Sequence, residues 1–340
     1  MRRLRFGLLG FSQGFYATTY TKSLLNRPDV EIVACCDLGM PADYVRECAF
    51  VSAEQFAAEV GAELLHDVDA FFDRSLDAVM VTTEVWEHRR YTLLALERGC
   101  HVFVGKPLSF MAQDVLDVMD AAALANRVVL PGQPLRYESG LQEAAARIHR
   151  GEIGKPLYVR LLLNHEAMVH QAWERDPARS GGPLGTFGVY LFDIVRWLTR
   201  SEFAEVFAYG DNFVFPQINS EDLIHVNARL SCGALAALTL VSTITWPYPF
   251  VAVEVVGTDG VLRTNYDNYR TVVQSARGAA LGEARYCPMG AFEIGHFVDC
   301  CLGREAPRVT LYDALQAARG IEATRASLST GRPVAVGGRL

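Results

Sequence analysis

Short apolar runs alternate with helix-spaced apolar stripes along the first third of the chain. The runs have the length of buried strands and cover residues 5–9, 31–36, 77–81 and 100–104. Helical patterns cover residues 14–25, 38–59, 87–98 and 112–125, and a short strand-like run follows at 128–130. Strands that alternate with helices predict a parallel sheet with right-handed crossovers. We therefore expect an α/β fold in this part of the chain.

The rest of the chain has strand-like runs that follow one another, several of them joined by glycine-containing turns. These runs cover residues 157–164, 205–209, 223–230, 234–243, 250–256 and 261–265. Such a succession predicts a large, mostly antiparallel open sheet. Apolar residues at helical spacing predict helices at 184–199, 291–302 and 311–328. We place a domain boundary between residues 131 and 132, so that a parallel-sheet domain covers 1–131 and a second α/β domain covers 132–340.

Length, composition and charge narrow the class of protein. The chain has 340 residues, of which 50% are hydrophobic and 21% charged, and this suits two globular domains. Its net charge of -7 and its scattered basic residues give no footprint for nucleic acid. No apolar stretch is long enough to span a bilayer, and the basic start lacks the apolar core of a signal peptide. We expect a cytoplasmic protein without a membrane or nucleic-acid partner.

The cysteines give no sign of a metal site. The chain has eight of them, including adjacent pairs at 35–36 and 300–301, and none forms a C-x-x-C spacing. Most lie in apolar runs, where a reduced thiol acts as a small hydrophobic group. We therefore expect no bound metal.

The turn after the first strand has the position of a dinucleotide-binding turn. In the G-x-G-x-x-G fingerprint, small residues let the backbone and a helix N-terminus approach a pyrophosphate. Here Gly10 begins the turn, Ser12 and Phe15 replace the second and third glycines, and Gly14 comes one position early. A loop that only joins a strand to a helix is the alternative. A Rossmann-type domain would use this turn, including Gln13, to bind its cofactor.

Asp37 ends the second strand, where a carboxylate accepts the ribose hydroxyls of NAD and repels the extra phosphate of NADP. NAD is therefore the expected cofactor and NADP is less favoured, unless Asp37 only caps a helix or loop. The carboxyl ends of parallel strands share one edge, so other strand ends add residues to the same crevice. The residues expected to bind the cofactor are Gly10, Ser12, Gln13, Gly14, Asp37, Thr82, Thr83, His88 and Lys106.

Lys106 is a lone cation in the sequence Gly105-Lys106-Pro107, directly after a buried strand. Open α/β sheets bind their ligands at this edge, so the lysine is a candidate for the chemistry. A solvated surface lysine at a strand end is the alternative.

The predicted helix 184–199 carries two stripes of side chains. The apolar core stripe consists of Leu184, Phe187, Leu191, Ile194, Val195 and Leu198. At about 100° per residue, a second stripe places Thr186, Tyr190 and Asp193 on one face with Trp197. A hydroxyl, a phenol and a carboxylate on one face indicate a catalytic or binding surface. Polar groups that cap neighbouring strands are the alternative.

Taken in order, these features resemble the Gfo/Idh/MocA family of NAD(P)-dependent oxidoreductases over nearly the whole chain. The segments that carry the resemblance are 105–107, 132–137, 173–177, 180–193, 221–222 and 331–334. The family pattern has Glu-Lys-Pro where residues 105–107 read Gly-Lys-Pro, and Asp-x-Gly-x-His where residues 186–190 read Thr-Phe-Gly-Val-Tyr. Tyrosine at the last place occurs in the branch that resembles glucose-fructose oxidoreductase.

The resemblance implies a Rossmann domain and an α/β domain whose open sheet often joins subunits, so we expect a homodimer or homotetramer. It also implies hydride transfer at a carbinol carbon of a sugar, inositol or related polyol. A phenol can exchange the carbinol proton if an ammonium stabilises its anion, which makes Tyr190 the acid/base and Lys106 its electrostatic partner. The expected catalytic residues are Lys106, Thr186, Tyr190 and Asp193, and the expected substrate-binding residues are Gln133, Arg136, Trp173, Arg175 and Asp193.

Three functions are compatible with these residues. The first is an NAD-dependent oxidoreductase that acts on a sugar-like or cyclic polyol substrate. The second is a family member without net redox chemistry, such as a lyase or hydrolase, and the third is a non-catalytic sugar or nucleotide sensor. The departures from the family pattern, Ser12, Phe15, Gly105 and Thr186, all lie in the expected site.

Overall fold

The computed structural model describes residues 2–40, 51–165, 175–243, 250–265, 271–275, 278–282 and 289–337. The chain forms two compact units. The first contains Met1–Ser109, Gln113–Pro134 and Pro288–Tyr312, and the second contains Phe110–Ala112, Leu135–Cys287 and Asp313–Leu340. In the part of the chain that the structure describes, no helix is long and apolar enough to cross a membrane.

A six-stranded sheet with the strand order β3-β2-β1-β4-β5-β6 forms the centre of the first unit. All of its pairings are parallel, which requires a crossover between each pair of strands. The strands are β1 (Leu4–Leu9), β2 (Val30–Cys36), β3 (Glu63–Leu65), β4 (Ala78–Val81), β5 (His101–Val104) and β6 (Val129–Pro131). The helices between or after them are α1 (Gly14–Ser23), α2 (Ala53–Val60), α3 (Val68–Phe72), α4 (Val85–Glu97) and α5 (Ala112–Ala125).

A nine-stranded sheet with the order β14-β13-β12-β11-β7-β10-β9-β8-β15 forms the second unit. Its pairings are antiparallel except that β7 and β10 run parallel. The strands are β7 (Pro156–Asn164), β8 (Phe203–Asp211), β9 (Leu223–Leu230), β10 (Leu235–Val241), β11 (Val251–Gly257), β12 (Gly260–Asn265), β13 (Thr271–Ser275), β14 (Gly278–Leu281) and β15 (Val334–Ala335). The remaining helices are α6 (Ser139–His149), α7 (Pro177–Ser180), α8 (Gly182–Thr199), α9 (Met289–Cys301) and α10 (Leu311–Thr330). The predicted fold class, a parallel sheet followed by a mostly antiparallel one, is confirmed.

One face of the nine-stranded sheet packs against helices. Helix α6 lies on β12 and β13, and helix α8 lies on β7 and β10. On β7, Val159 and Leu161 are buried towards the helices, whereas Tyr158, Arg160 and Leu162 between and beside them are only partly buried or exposed. Because side chains alternate along a strand, Tyr158, Arg160 and Leu162 lie on the face of the sheet opposite to these helices.

Helix α9 corrects the predicted division of the chain. Residues 288–312 belong to the first unit, although the predicted boundary at 131 and 132 placed them in the second domain. The physical reason is the apolar face of α9, because Ile294, Phe297 and Val298 are buried in the core of the first unit. Helix α9 contacts α1 and β5 there.

The predicted helix at 38–59 lies partly outside the described residues. Helix α2 begins only at Ala53, where Ser52 and Gln55 form a reciprocal capping box, and residues 41–50 lie outside the described part of the chain. The sequence pattern did not indicate helix α6 or strands β13, β14 and β15.

Candidate active site

Gly10 makes the turn after β1 in a conformation that favours glycine, with φ at +89°. A Cβ atom at this position would lie 2.6 Å from Thr83 Cγ2, which is closer than real atoms pack. Gly10 N donates to Cys36 O over 2.9 Å, so the turn lies beside the end of β2. The ends of β1 and β2 therefore converge on a turn whose first residue has no room for a side chain.

Thr82 holds this turn at both of its ends. Its hydroxyl donates to Gly10 O over 2.8 Å, and its carbonyl accepts from Gln13 N over 3.0 Å. The side chain is fully buried. These contacts give Thr82 a structural role in the turn, and its predicted contact with the cofactor stays a prediction.

The N-terminus of α1 carries no side-chain cap. Gln13 is the N-cap residue and makes no capping hydrogen bond, so the first N–H groups of the helix keep their capacity to donate. Ser12 is buried and its hydroxyl bonds to the carboxyl of Glu84, whose pKa is raised by burial. An uncapped helix N-terminus beside a glycine turn fits a pyrophosphate. The side chain of Phe15 is outside the described part of the chain.

Asp37 shares the edge on which the Gly10 turn lies. It directly follows Cys36, whose carbonyl accepts from Gly10, and its own N–H donates to Leu65 O over 2.8 Å. Its Oδ1 accepts from Gly39 N over 3.0 Å, and the side chain is half-buried. The structure thus brings the predicted ribose carboxylate and the predicted phosphate turn together.

Lys106 lies in the interior at the end of β5. The residue is only 7% exposed, so Lys106 is not a solvated surface lysine. Burial lowers the pKa of the amine to about 7, because the charged form loses its hydration. At neutral pH this amine can carry a positive charge or exchange a proton.

His88 holds the turn that follows Lys106. Its Nδ1 lies 2.7 Å from Pro107 O and its Nε2 lies 2.9 Å from Thr83 O. Burial lowers the pKa of His88 to about 4, so the neutral ring donates its single N–H to one carbonyl at a time. Both ring nitrogens face backbone carbonyls at the ends of β4 and β5. The predicted contact of His88 with the cofactor stays a prediction.

Gln133 is buried after β6 and is fixed by a carboxylate that sequence reasoning missed. Gln133 N donates to Glu293 Oε1 over 2.5 Å, and the Tyr20 hydroxyl donates to Glu293 Oε2 over 2.7 Å. Among the described residues, Gln133 Oε1 is buried without a hydrogen-bond partner. Buried acceptors normally have a partner, so this oxygen is available to a donor on a ligand. Glu293 lies on α9, 160 positions from Gln133, and no local pattern marks it.

In the second unit, Tyr190 lies on α8 and is 2% exposed. Its ring stands edge-on to Phe250 with 6.0 Å between the ring centroids. His165, which follows β7, stacks on Phe187 at 3.9 Å and contacts the same Phe250 at 5.6 Å. The structure therefore places a histidine in the ring cluster of Tyr190. Sequence reasoning missed His165, although its position directly after a predicted strand was a usable signal.

Asp193 and Arg136 bind each other inside the second unit. Arg136 donates from Nε and Nη2 to the two carboxylate oxygens of Asp193 over 2.8 Å and 2.6 Å. Arg136 Nη2 also lies 3.0 Å from Asp313 Oδ1, and its guanidinium lies over the ring of Trp197. Asp193 is 1% exposed. The two charged groups form a buried ion pair with each other, and their predicted contacts with the substrate stay predictions.

The other predicted residues of the second unit are spread over different surroundings. The Thr186 hydroxyl donates to Ser180 O over 3.3 Å, at the end of α7. Arg175 is exposed, and Trp173 lies outside the described residues. The helix thus carries Thr186, Tyr190 and Asp193 as predicted, but each has its own partners. Across the described ranges, no cluster of three or more histidine, cysteine, aspartate or glutamate side chains is placed to hold a metal.

The first unit has the parts of a dinucleotide-binding domain, with a buried lysine at the edge of its sheet. Family models agree with this class. The oxidoreductase family with an NAD-binding Rossmann fold matches residues 4–133, and the GFO/IDH/MocA C-terminal domain matches residues 141–263. The chain belongs to the GFO/IDH/MocA family of NAD-dependent oxidoreductases, which confirms the predicted resemblance, enzyme class and cofactor.

Individual relatives differ in the reactions that their names state. The chain is 27% identical over 295 residues to scyllo-inositol 2-dehydrogenase (NAD(+)) of Bacillus subtilis, covering 83% of this chain and 84% of that protein. It is 26% identical over 218 residues to 2,7-anhydro-N-acetylneuraminate hydratase of Mediterraneibacter gnavus, covering 62% of this chain and 58% of that one. An oxidoreductase from Agrobacterium radiobacter, solved with NAD+, L-tartaric acid and magnesium, has the same fold, with a TM-score of 0.83, 20% identity and coverage of 98% and 99%.

Proposed function

We propose that the protein transfers a hydride between NAD and a carbinol or carbonyl carbon of a sugar-like or cyclic polyol substrate. The observation that carries the proposal is the convergence of Gly10, Asp37 and buried Lys106 at one edge of the first unit's sheet. A relative that is named an inositol dehydrogenase supports the substrate class. NAD, when bound, supplies the acceptor or donor of the hydride.

The chain's own residues have to move the proton of the carbinol oxygen. We assign this task to Lys106 and Tyr190. The amine has a pKa of about 7, so both of its forms are populated at neutral pH. The phenol is 2% exposed, which shields it from competing exchange with water. His165 belongs to the same ring cluster as Tyr190 and is a further candidate for proton transfer.

A second function is supported by one relative. The 2,7-anhydro-N-acetylneuraminate hydratase of Mediterraneibacter gnavus bears the name of an enzyme that adds or removes water. Gly105, in place of the family's glutamate, directly precedes Lys106, and Thr186, in place of the family's aspartate, lies four positions before Tyr190. Loss of these acids favours a site in which the nicotinamide undergoes no net change.

One experiment separates the two functions. The purified protein is denatured, any released nucleotide is identified with its oxidation state, and the absorbance of reduced nicotinamide is then followed with inositols, aldoses and anhydro sugars. Substrate-dependent change in absorbance supports the oxidoreductase. Consumption of a substrate without such a change supports the non-redox enzyme, and failure to bind any nicotinamide nucleotide contradicts both.

The outward face of the nine-stranded sheet is proposed to bind a second copy of the chain in a homodimer or homotetramer. Leu235 is 48% exposed on this face and Leu162 is half-buried. This face also carries charge, because Glu254 lies between Arg160 and Arg263 across three paired strands. A two-fold contact would bring this same face of both copies together.

A further inference from the structure

The backbone of Lys106 is held by a side chain from the dinucleotide turn. Gln13 Nε2 donates to Lys106 O over 2.8 Å. Gln13 stands at the start of α1, and its own N–H donates to Thr82 O over 3.0 Å. One side chain therefore connects the proposed pyrophosphate turn to the proposed catalytic lysine.

The amide of Gln13 lies against Gly105, in the space that a side chain at position 105 would take. A Cβ atom on Gly105 would overlap Gln13 Oε1 and would lie 3.0 Å from Gln13 Cδ. The amide of Gln13 thus fills the place where any side chain at position 105 would begin. Among the described residues, Gln13 Oε1 is buried and accepts no hydrogen bond. An unpaired buried acceptor is unfavourable, so another contact has to stabilise this orientation of the amide. That contact is the hydrogen bond from Gln13 Nε2 to Lys106 O.

The next carbonyl along the chain is also held. Pro107 O faces His88 Nδ1 at 2.7 Å, so two successive carbonyls after β5 are fixed by side chains from α1 and α4. Only one of these two side chains, that of Gln13, comes from the turn that would contact the nucleotide.

We propose that Gln13 is a positioning residue for Lys106, which ties the dinucleotide turn to the backbone of the lysine and keeps its amine in the buried position. The catalytic use of that position rests on the proposed function, but the position itself can be tested without activity. Gln13 replaces, from another element, the side chain that position 105 lacks.

The chain has few lysines, so the titration of Lys106 can be measured separately from the others. The protein has three lysines, Lys22, Lys106 and Lys155, and the first and last are half-buried and exposed. Trace acetylation over a range of pH, with each lysine quantified by mass spectrometry, gives the titration midpoint of Lys106 with two internal references. The variant is Gln13→Met, which keeps the length of the side chain and removes the donor. Gln113→Met, an exposed glutamine on α5, is the matched control.

Without the hydrogen bond, the turn relaxes and the Lys106 amine gains water. We expect its midpoint to rise by about one pH unit or more, a tenfold change in the neutral fraction, in Gln13→Met but not in Gln113→Met. An unchanged Lys106 midpoint in a folded Gln13→Met protein would overturn the proposal. Failure of the native chain to bind a nicotinamide nucleotide would instead overturn the proposed function, and the titration of Lys106 would still decide the role of Gln13.

A second pair of variants tests the same contact from the other side. Gly105→Ala forces the Gln13 amide out of its place, so it should shift the Lys106 midpoint in the native background. In a Gln13→Ala background the same change should have little further effect, because the space is already empty. Equal shifts in the two backgrounds would contradict the proposal. This comparison does not use Gln13→Met, so it tests the contact even if that variant does not fold.

Discussion

The surroundings of Lys106 decide its chemistry. The unfolded chain holds the proton of this amine up to a pH of about 10.5, whereas the folded protein releases it near 7. The unfolded state therefore binds more protons between these values, and stability rises with pH across that window. Below pH 7 the buried ammonium opposes folding, which is a cost that a surface lysine would not have. Residues kept at such a cost commonly serve a site.

The pH dependence of kcat/KM should show the titration of the Lys106 amine. If the ammonium of Lys106 assists the proton transfer, kcat/KM for carbonyl reduction should fall above pH 7 with a midpoint near 7. Lys106→Arg keeps its positive charge at every working pH, so kcat/KM of that variant should not fall above pH 7. A native profile that is flat from about pH 6 to 9 contradicts the role of Lys106.

Tyr190→Phe removes one hydroxyl and keeps the ring that packs against Phe250. We expect turnover to fall by about 10²- to 10⁴-fold, because a positioned acid/base contributes that much, while the Kd for NAD stays nearly unchanged. Tyr209→Phe, at a residue 63% exposed on β8, is the matched control. Steady-state kinetics and calorimetry measure the two effects, and normal turnover in Tyr190→Phe would exclude the phenol.

Asp37 should set the choice between the two dinucleotides. Asp37→Ser removes the carboxylate that would accept the ribose hydroxyls, so the Kd for NAD should rise by about tenfold and the Kd for NADP should fall. Asp73→Ser changes an exposed acid of the same unit and should alter neither. Both constants are measured by calorimetry. Tighter binding of NADP than of NAD by the native protein would contradict the assigned role of Asp37.

At the scale of elements, helix α9 completes the first unit from a distant part of the sequence. A Cβ on Gly290 would collide with the ring of Tyr20, so the two helices approach closely at this glycine. On the same helix, Glu293 accepts from the Tyr20 hydroxyl and from Gln133 N. The helix that supplies this carboxylate therefore shapes the site without belonging to the predicted dinucleotide-binding segment.

Glu293→Ala should destabilise the protein through this contact. Two buried donors would lose their acceptor, and each unpaired donor costs about 1–3 kcal/mol, so the free energy of unfolding should fall by about 3 kcal/mol. Glu293→Gln keeps an acceptor and should lose less. Glu97→Ala, an exposed glutamate at the end of α4, should stay within about 0.5 kcal/mol of the native protein. Urea unfolding measures all three, and equal stability of Glu293→Ala and the native chain contradicts the interpretation.

At the scale of the whole molecule, the fold provides a unit that binds the cofactor but does not determine which reaction the protein catalyses. Members of one fold carry out different reactions, because the reaction depends on the few side chains at the ligand edge. The relatives named as a dehydrogenase and as a hydratase illustrate this within one family. The same holds for assembly, since an open sheet face can be covered only by something outside the single chain.

The outward sheet face gives a prediction for assembly. Leu235→Glu places a charge in the proposed contact, where it would be buried without a partner, so the oligomer should dissociate. Leu124→Glu makes the same change at a residue 89% exposed on α5 and should leave the assembly intact. Light scattering at micromolar concentration gives the mass of each protein. A monomeric native chain would refute the proposed homodimer or homotetramer.

The sequence determined the features that depend on neighbours along the chain. Strands β4 and β5 could be predicted because a buried parallel strand is a continuous apolar run, and the edge at Gly10, Asp37 and Lys106 followed because carboxyl ends of parallel strands coincide. Helix α8 could be predicted from its apolar spacing.

Only the tertiary structure decided which side chains use each other. Asp193 is paired with Arg136, 57 positions away, and Glu293 reaches Tyr20, 273 positions away. The contact of Gln13 with Lys106 spans 93 positions. No periodicity links residues at such separations, because the pairing depends on where packing places whole elements. Burial also decided the low pKa of Lys106, since desolvation is a property of the packed interior and not of the local sequence.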